Sequence, residues 1–537
     1  MRATTRELQA EARRLSAKMW PPNLWKRSNE IFSWAGVLPF ASLFPALIVV
    51  FNALRFVGDD TAPGADWAVL ELNTRSAVHF EQLLGPYSRF GFNHPGPLFF
   101  YLASIPYRVA QNFGALIFVT ALLSLVCLAV VLVASRKIWG IRGLWATATM
   151  VTVISFRFSP ERFRDPWNPY LVILPITLAL LLLPLIWRGS LRRALPVFLF
   201  ACSLALHSHI SAVPLVLPAL MAAALAWIIH ARRTSIRASC RDSVGSLLLL
   251  IAIWALPLYE QLTHNTGNAR VLFAYSRSHT GDSHSLGEIS KPIAVALGLG
   301  SEGLGDAFGP ASPFNASLSV GPAAIFGLAI LASLITTAVT LAFRRKRNDL
   351  LALFAVCGFG LLGSVFASLR IEGPIYPYLF TPFLALGFAL WISSAATVAS
   401  LLRFPRCMPT LVMAISAFVF AFAPVARWHS DMTKGLAGFT STEIESLNRQ
   451  VEYLCGESGG MITISTTDLW DRAVAVGNFL ARCESNVGFS PDLGFIVGEN
   501  YISTADGTRL WLLLPTDPTP EGATELYRSD ALVMYRS

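Results

Sequence analysis

Runs of about 18 or more apolar residues recur along most of this sequence, and each is long enough to cross a bilayer as one helix. Lipid offers no water to satisfy backbone N–H and C=O groups, so such runs fold as helices rather than open strands. They fall near residues 33–54, 113–135, 143–158, 169–187, 194–209, 212–230, 244–262, 320–343, 350–368, 376–398 and 409–425, with the third and fifth rather short. The composition agrees: 54% of residues are hydrophobic and only 14% charged, where soluble domains carry roughly 25% charged residues. Mean hydropathy is +0.54. The expected fold is a polytopic α-helical membrane protein of about 11 transmembrane helices, residues 33–427. After that the character changes. ESLNRQVEYLC and DLWDRAVAVGNFLARC have helical spacing, and MITIS, RLWLLLP and ALVMYRS read as strands, so 428–537 is expected to form a small α/β domain.

Sidedness follows from charge. Alternating the connections from an inside N-terminus gathers the basic clusters on one side: Arg136/Lys137/Arg142, Arg188/Arg192/Arg193, Arg232/Arg233/Arg237/Arg241 and Arg344/Arg345/Lys346/Arg347. Most carboxylates fall opposite, as the positive-inside rule expects. Residues 1–32 become a cytoplasmic basic segment. The first loop, 55–112, a long loop, 263–319, and the domain 428–537 face outside. The net charge of +9 is thus a topology signal and implies no nucleic-acid partner. Of seven cysteines, only Cys455 and Cys483 lie in the outside tail, where a disulfide is expected. Cys127, Cys202 and Cys357 sit in apolar spans and read as core packing.

The polar groups at the outer membrane edge come from separate loops. The first loop holds Asp59, Asp60, Asp66 and Glu71, then Tyr87, Arg89 and His94. Asp66 precedes the helix-compatible WAVLELNTR, so it reads either as a helix cap or as a general base. HPGPLFFYLASIPYRVA reads as a helix lying at the interface. Later loops add Asp165 and Asn168, then His207 and His209, then Glu260 and Gln261 at a span end, then Arg370. A carboxylate at a span end is costly unless it faces a polar cavity. The groups share one face, which fits a single outward cavity and not an ion path with mid-span charges.

The motifs Asp66-Trp67-Ala68-Val69-Leu70-Glu71-Leu72, Gly85-Pro86-Tyr87-Ser88-Arg89-Phe90-Gly91, His94-Pro95-Gly96-Pro97, Trp167-Asn168-Pro169-Tyr170 and Glu260-Gln261-Leu262-Thr263 carry a resemblance. Set in an acidic first loop, many spans and an outward C-terminal domain, they resemble the GT-C superfamily of membrane glycosyltransferases, bacterial members in particular. The resemblance implies a GT-C-like fold in the plasma (inner) membrane. It implies transfer of a hexosyl or pentosyl group from a polyprenyl-phosphate donor to an extracytoplasmic glycan, lipid or protein, with inversion at the anomeric carbon. The base role carries to Asp66, with Asp60 its rival and Glu71 in the same motif. Arg89, Arg370, His94 and Tyr87 are candidates for the donor phosphate, and Asp165, Asn168, Glu260 and Gln261 for the cavity wall. Several members use a divalent metal (Mg, Mn or Ca) and others do not; His207 and His209 are the candidate ligands here. Two other readings remain: a flippase for lipid-linked glycans, which calls for broken helices and inverted repeats, and a non-enzymatic envelope-assembly protein acting through its tail.

Overall fold

The structure, a computed structural model, describes residues 34–58, 62–158, 160–264, 266–278, 284–299, 320–402, 410–428, 442–456, 460–503 and 507–537. The N-terminal basic segment, Asp59, Asp60 and residues 300–319 of the long loop lie outside the described residues.

The first span, Trp34–Gly58, contains helix α1 (Phe44–Ala53). Helix α2 (Ala65–Val78) follows, then a hairpin of β1 (Tyr87–Ser88) and β2 (Phe92–Asn93), then α3 (Leu98–Ala110). The bundle continues with α4 (Gly114–Arg157), α5 (Ile173–Trp187), α6 (Leu191–Ser208), α7 (Val213–Arg233) and α8 (Ile236–Thr263). Two shorter helices, α9 (Asn268–Ser278) and α10 (Leu286–Gly298), lead to α11 (Pro322–Arg344), α12 (Asn348–Leu369), α13 (Thr381–Leu401) and α14 (Thr410–Trp428).

Among the described residues, nine helices are long and apolar enough to cross a membrane, against the eleven runs of the sequence. The difference lies in the two short runs. The run near 143–158 is joined to its predecessor inside α4, whose 44 residues break at Gly140 (φ 72°, ψ −164°). That backbone conformation is open to glycine and strained for other residues. The run near 194–209 forms α6, where Arg192 and Arg193 in the first turn and His207 in the last dilute an 18-residue helix. At one end of the bundle three connections are tied together. Asp349 accepts hydrogen bonds from Arg188 and Arg347, each at 2.8 Å, and Arg188 also donates to the carbonyl oxygens of Lys137 and Ile138.

The C-terminal unit is α/β as expected. It contains α15 (Thr442–Val451), β3 (Ile462–Thr466), α16 (Trp470–Arg482), β4 (Val487–Phe489), β5 (Thr508–Leu513), β6 (Thr524–Arg528) and β7 (Val533–Arg536). The sheet order is β4-β3-β5-β7-β6, with β3 parallel to both neighbours and β7 antiparallel to both of its own. The Cys455–Cys483 disulfide forms, with Cα atoms 5.0 Å apart, and ties the segment after α15 to the end of α16. It closes a loop of 28 residues, for which chain entropy gives about 3–4 kcal/mol of stabilisation. A Cys455→Ser/Cys483→Ser variant is therefore expected to unfold its C-terminal domain several degrees lower, read by thermal denaturation; an unchanged midpoint would count against that contribution.

Helix α2 joins the two units. Trp67, Leu70 and Ala77 pack into the core of the bundle. Ala68, Val69 and Leu72 belong to the core of the C-terminal domain, with Leu447, Ile464 and Val474. A helix buried on both sides has no single apolar stripe, and α2 accordingly mixes polar and apolar residues around its circumference.

Candidate active site

Asp66 lies in the first turn of α2, whose N-cap position is taken by Gly64. Its carboxylate faces other loops. Oδ1 accepts from the Tyr87 hydroxyl at 2.5 Å, and Oδ2 accepts from Trp167 Nε1–H at 2.9 Å. A reciprocal pair sits behind it. Asp165 Oδ1 accepts from Trp67 Nε1–H and from the Trp167 backbone N–H, both at 2.9 Å. The Trp67 and Trp167 rings stack at 6.1 Å. Two Asp-Trp pairs thus lock α2 to the 165–168 segment, and the carboxylate that remains at the cavity is Asp66.

The hairpin brings Tyr87 to Asp66. Its turn is closed by the Gly91 N–H donating to the Ser88 carbonyl at 3.1 Å, with Gly91 at φ 80°. Its base is closed by Gly85 N–H to His94 C=O (3.0 Å) and His94 N–H to Pro86 C=O (2.8 Å). The Tyr87 ring is held edge-on by Trp470 at 5.9 Å and Phe495 at 6.2 Å, both from the C-terminal domain.

These residues enclose a cavity of about 90 Å³ walled by Asp66, Tyr87, Arg89, His94, Trp167, Asn168, His209 and Tyr378. Burial raises the Asp66 carboxyl above its usual range, opposed in part by the hydrogen bonds from Tyr87 and Trp167. Burial and the Asp66 charge raise Tyr87, so it stays a donor. Burial, with His209 nearby, holds His94 well below the usual imidazole range, and burial lowers His209 to about 4. The two rings lie 4.4 Å apart and are uncharged near neutral pH.

Arg89 is fixed by the opposite wall. It donates to the carbonyl oxygens of Pro374 (2.9 Å) and Glu372 (3.3 Å), and its guanidinium lies 4.5 Å from the Tyr376 ring centre. Next to the cavity, and sharing Ser88, Phe90, His209 and Leu379 with it, runs a mostly apolar groove of about 480 Å³. Its other walls come from α7, α9, α12 and α13, and Arg370 stands exposed among its lining residues.

Asp66, Tyr87, Arg89, His94, Asn168 and His209 therefore share one cavity, Asp165 braces it, and Arg370 is at the adjoining groove. Other expected site residues have different tasks. Glu71 is fully buried away from the cavity, paired with Arg482 at 2.7 Å and accepting from Asn478 and Tyr107. Glu260 and Gln261 accept the backbone N–H groups of Asn268 and Ala269, capping α9. The pair His207 and His209 does not converge. His207 Nδ1 accepts from Leu98 N–H and its ring packs on Trp254, while His209 Nδ1 meets Ser211 Oγ. Among the described residues no group of three or more His, Cys, Asp or Glu is disposed to hold a metal ion. The described residues of the cavity therefore do not form a metal-ligand set. Tyr378 and Trp470 were not legible as site residues, because only the fold brings them to Tyr87 and Asp66.

No protein-family model matches the chain, and no curated protein matches it. Solved structures do. ArnT from Cupriavidus metallidurans bound to undecaprenyl phosphate superposes with a TM-score of 0.56 at 11% identity, covering 91% of this chain and 96% of that one. The same protein in the apo state gives 0.54 at 11% identity over 95% and 98%. The chain has a GT-C-like fold over nearly its whole length, with a small C-terminal sheet domain.

Proposed function

We propose that this protein is an inverting membrane glycosyltransferase that takes its sugar from a polyprenyl phosphate on the outer side of the plasma (inner) membrane. The observation that carries the reading is a desolvated carboxylate, Asp66, in a cavity continuous in its walls with an apolar groove. The fold shared with a protein solved with undecaprenyl phosphate supports it.

In the reaction, the acceptor hydroxyl oxygen attacks the anomeric carbon. The bond from that carbon to the phosphate oxygen breaks, and the polyprenyl phosphate leaves with the electron pair. The acceptor proton passes to Asp66, whose raised affinity for protons suits a general base. A single displacement inverts the anomeric centre. Tyr87 and Trp167 fix the carboxylate, and the groove holds the prenyl chain. Arg370 meets the phosphate as a charge-assisted donor, while Arg89 pins the loop at 372–376 that follows it.

The test is transfer of labelled sugar by the full chain reconstituted in lipid with a panel of polyprenyl-phosphate hexoses and pentoses. Inverted product is expected; retained configuration, or translocation of the donor with no new glycosidic bond, sinks the reading. Arg370→Ala is expected to raise the donor KM about tenfold, the loss of one charge-assisted contact, with kcat changed less. An unchanged KM removes Arg370 from the phosphate.

A further inference from the structure

A second cleft, of about 430 Å³, lies between the hairpin, the α8–α9 connection and the C-terminal domain. It shares no lining residue with the Asp66 cavity, yet one layer separates them. Gly85 and Phe92 face the cleft where Pro86 and Tyr87 face the cavity, and Phe495 of the cleft is the ring that meets Tyr87.

Its chemistry is mixed. Asn73, on α2, lines the cleft while only 4% exposed, so its side-chain amide meets the cleft and little else of the solvent. An amide carries both donors and an acceptor, so at the wall of a cleft it can bond to a ligand's hydroxyls. Phe495 presents an exposed ring to the same space. Glu81, Glu499 and Asn500 add exposed carboxylates and an amide, and His264 lies 3.9 Å from Glu499. No lysine or arginine is among the lining residues. An aromatic face beside planar hydrogen-bonding groups suits a pyranose, whose C–H face packs on a ring while its hydroxyls bond to carboxylates and amides. The lack of cations disfavours an anionic sugar.

We propose that this cleft is a subsite for a neutral or amino-bearing oligosaccharide, holding the part of a glycan acceptor beyond its reacting hydroxyl. The inference rests on the glycosyltransferase reading and selects a glycan acceptor over a lipid or a protein.

The test is calorimetric titration of the full-length protein in nanodiscs with maltotriose, a β-1,4-glucosamine trimer and trigalacturonate. One of the first two is expected to bind, with trigalacturonate about tenfold weaker or worse. Asn73→Leu and Asn500→Trp should each weaken binding about tenfold, as for the loss of one or two hydrogen bonds. Asp492→Trp, exposed nearby but outside the cleft, should leave it unchanged. Asn73→Leu should not lower the thermal midpoint, which a purely structural amide would. Asn500 is exposed, so its variant tests the cleft even if Asn73→Leu does not fold. No binding by either uncharged or amino trimer, equal binding of the acidic one, or unaltered binding in both variants overturns the proposal. Asp66→Asn separates the two readings: it should keep trimer binding and lose transfer. Retained transfer with intact trimer binding would count against the base and spare the cleft.

Discussion

Replacing Asp66 with asparagine is expected to cut sugar transfer by about 10²- to 10⁴-fold, the span usually lost with a general base, without unfolding the protein. The shape is conserved, and the amide oxygen can still accept from Tyr87. Two effects on stability oppose each other. The Trp167 contact is weakened, but a carboxylate that burial disfavours is removed. The sign is explicit. A folded-state pKa raised above the ordinary 3.8 means that protonation favours the folded protein, so this group's contribution is fully present below that value and is lost as pH rises through the folded pKa. Activity runs the other way, because the base works ionised. Transfer should fall on acidification at a pH above that of an ordinary carboxylate, and the residual activity of Asp66→Asn should lack that limb. Initial rates from pH 4 to 8, with thermal midpoints alongside, check both. Wild-type transfer by the variant removes Asp66 as the base.

The second large effect concerns stability. Arg482→Leu is expected to destabilise the junction of the two units by about 3–5 kcal/mol, since it strands Glu71 as an unpaired buried charge. Glu71 is fully buried, and Arg482 meets it with two nitrogens, at 2.8 and 2.7 Å. The double variant Glu71→Leu/Arg482→Leu should recover part of the loss, because replacing a whole buried pair by apolar residues costs far less than breaking it. Transfer should fall in Arg482→Leu as well, since Trp470 and Phe495 steady the tyrosine that holds Asp66. Limited proteolysis around residue 428 and thermal unfolding are the measurements. A single variant as stable as the parent would show that the ion pair contributes little.

The sequence carried the membrane fold because a span is a local property, visible in about 20 consecutive residues. The disulfide was legible for a similar reason, with only two cysteines in the tail. Asp66 was visible as a residue but its surroundings were not: its hydrogen-bond partners Tyr87 and Trp167 lie 21 and 101 positions away. Glu71 was misleading. It sits in the same motif, but its partners Asn478 and Arg482 lie 407 and 411 positions further on, and no local pattern reports such a contact. Glu260 and Gln261 looked like costly polar groups at a span end, and the cost is met by the N-terminus of α9. His207 and His209 are adjacent but for one residue, yet a helix end between them turns their rings to different neighbours.

The double burial of α2 also sets a timetable. Its residues 65–78 leave the ribosome early, whereas the half of their core that begins at residue 442 is still unmade. At about 5–20 residues per second, the helix waits roughly 20–70 s for its second partner. During that interval Ala68, Val69 and Leu72 lack their domain core, and the Glu71 carboxylate has Tyr107 but neither Asn478 nor Arg482. Trp470 and Phe495, which steady Tyr87, are made roughly 400 residues after it, so a nascent chain can have its bundle in the bilayer while the Asp66 cavity still lacks that support.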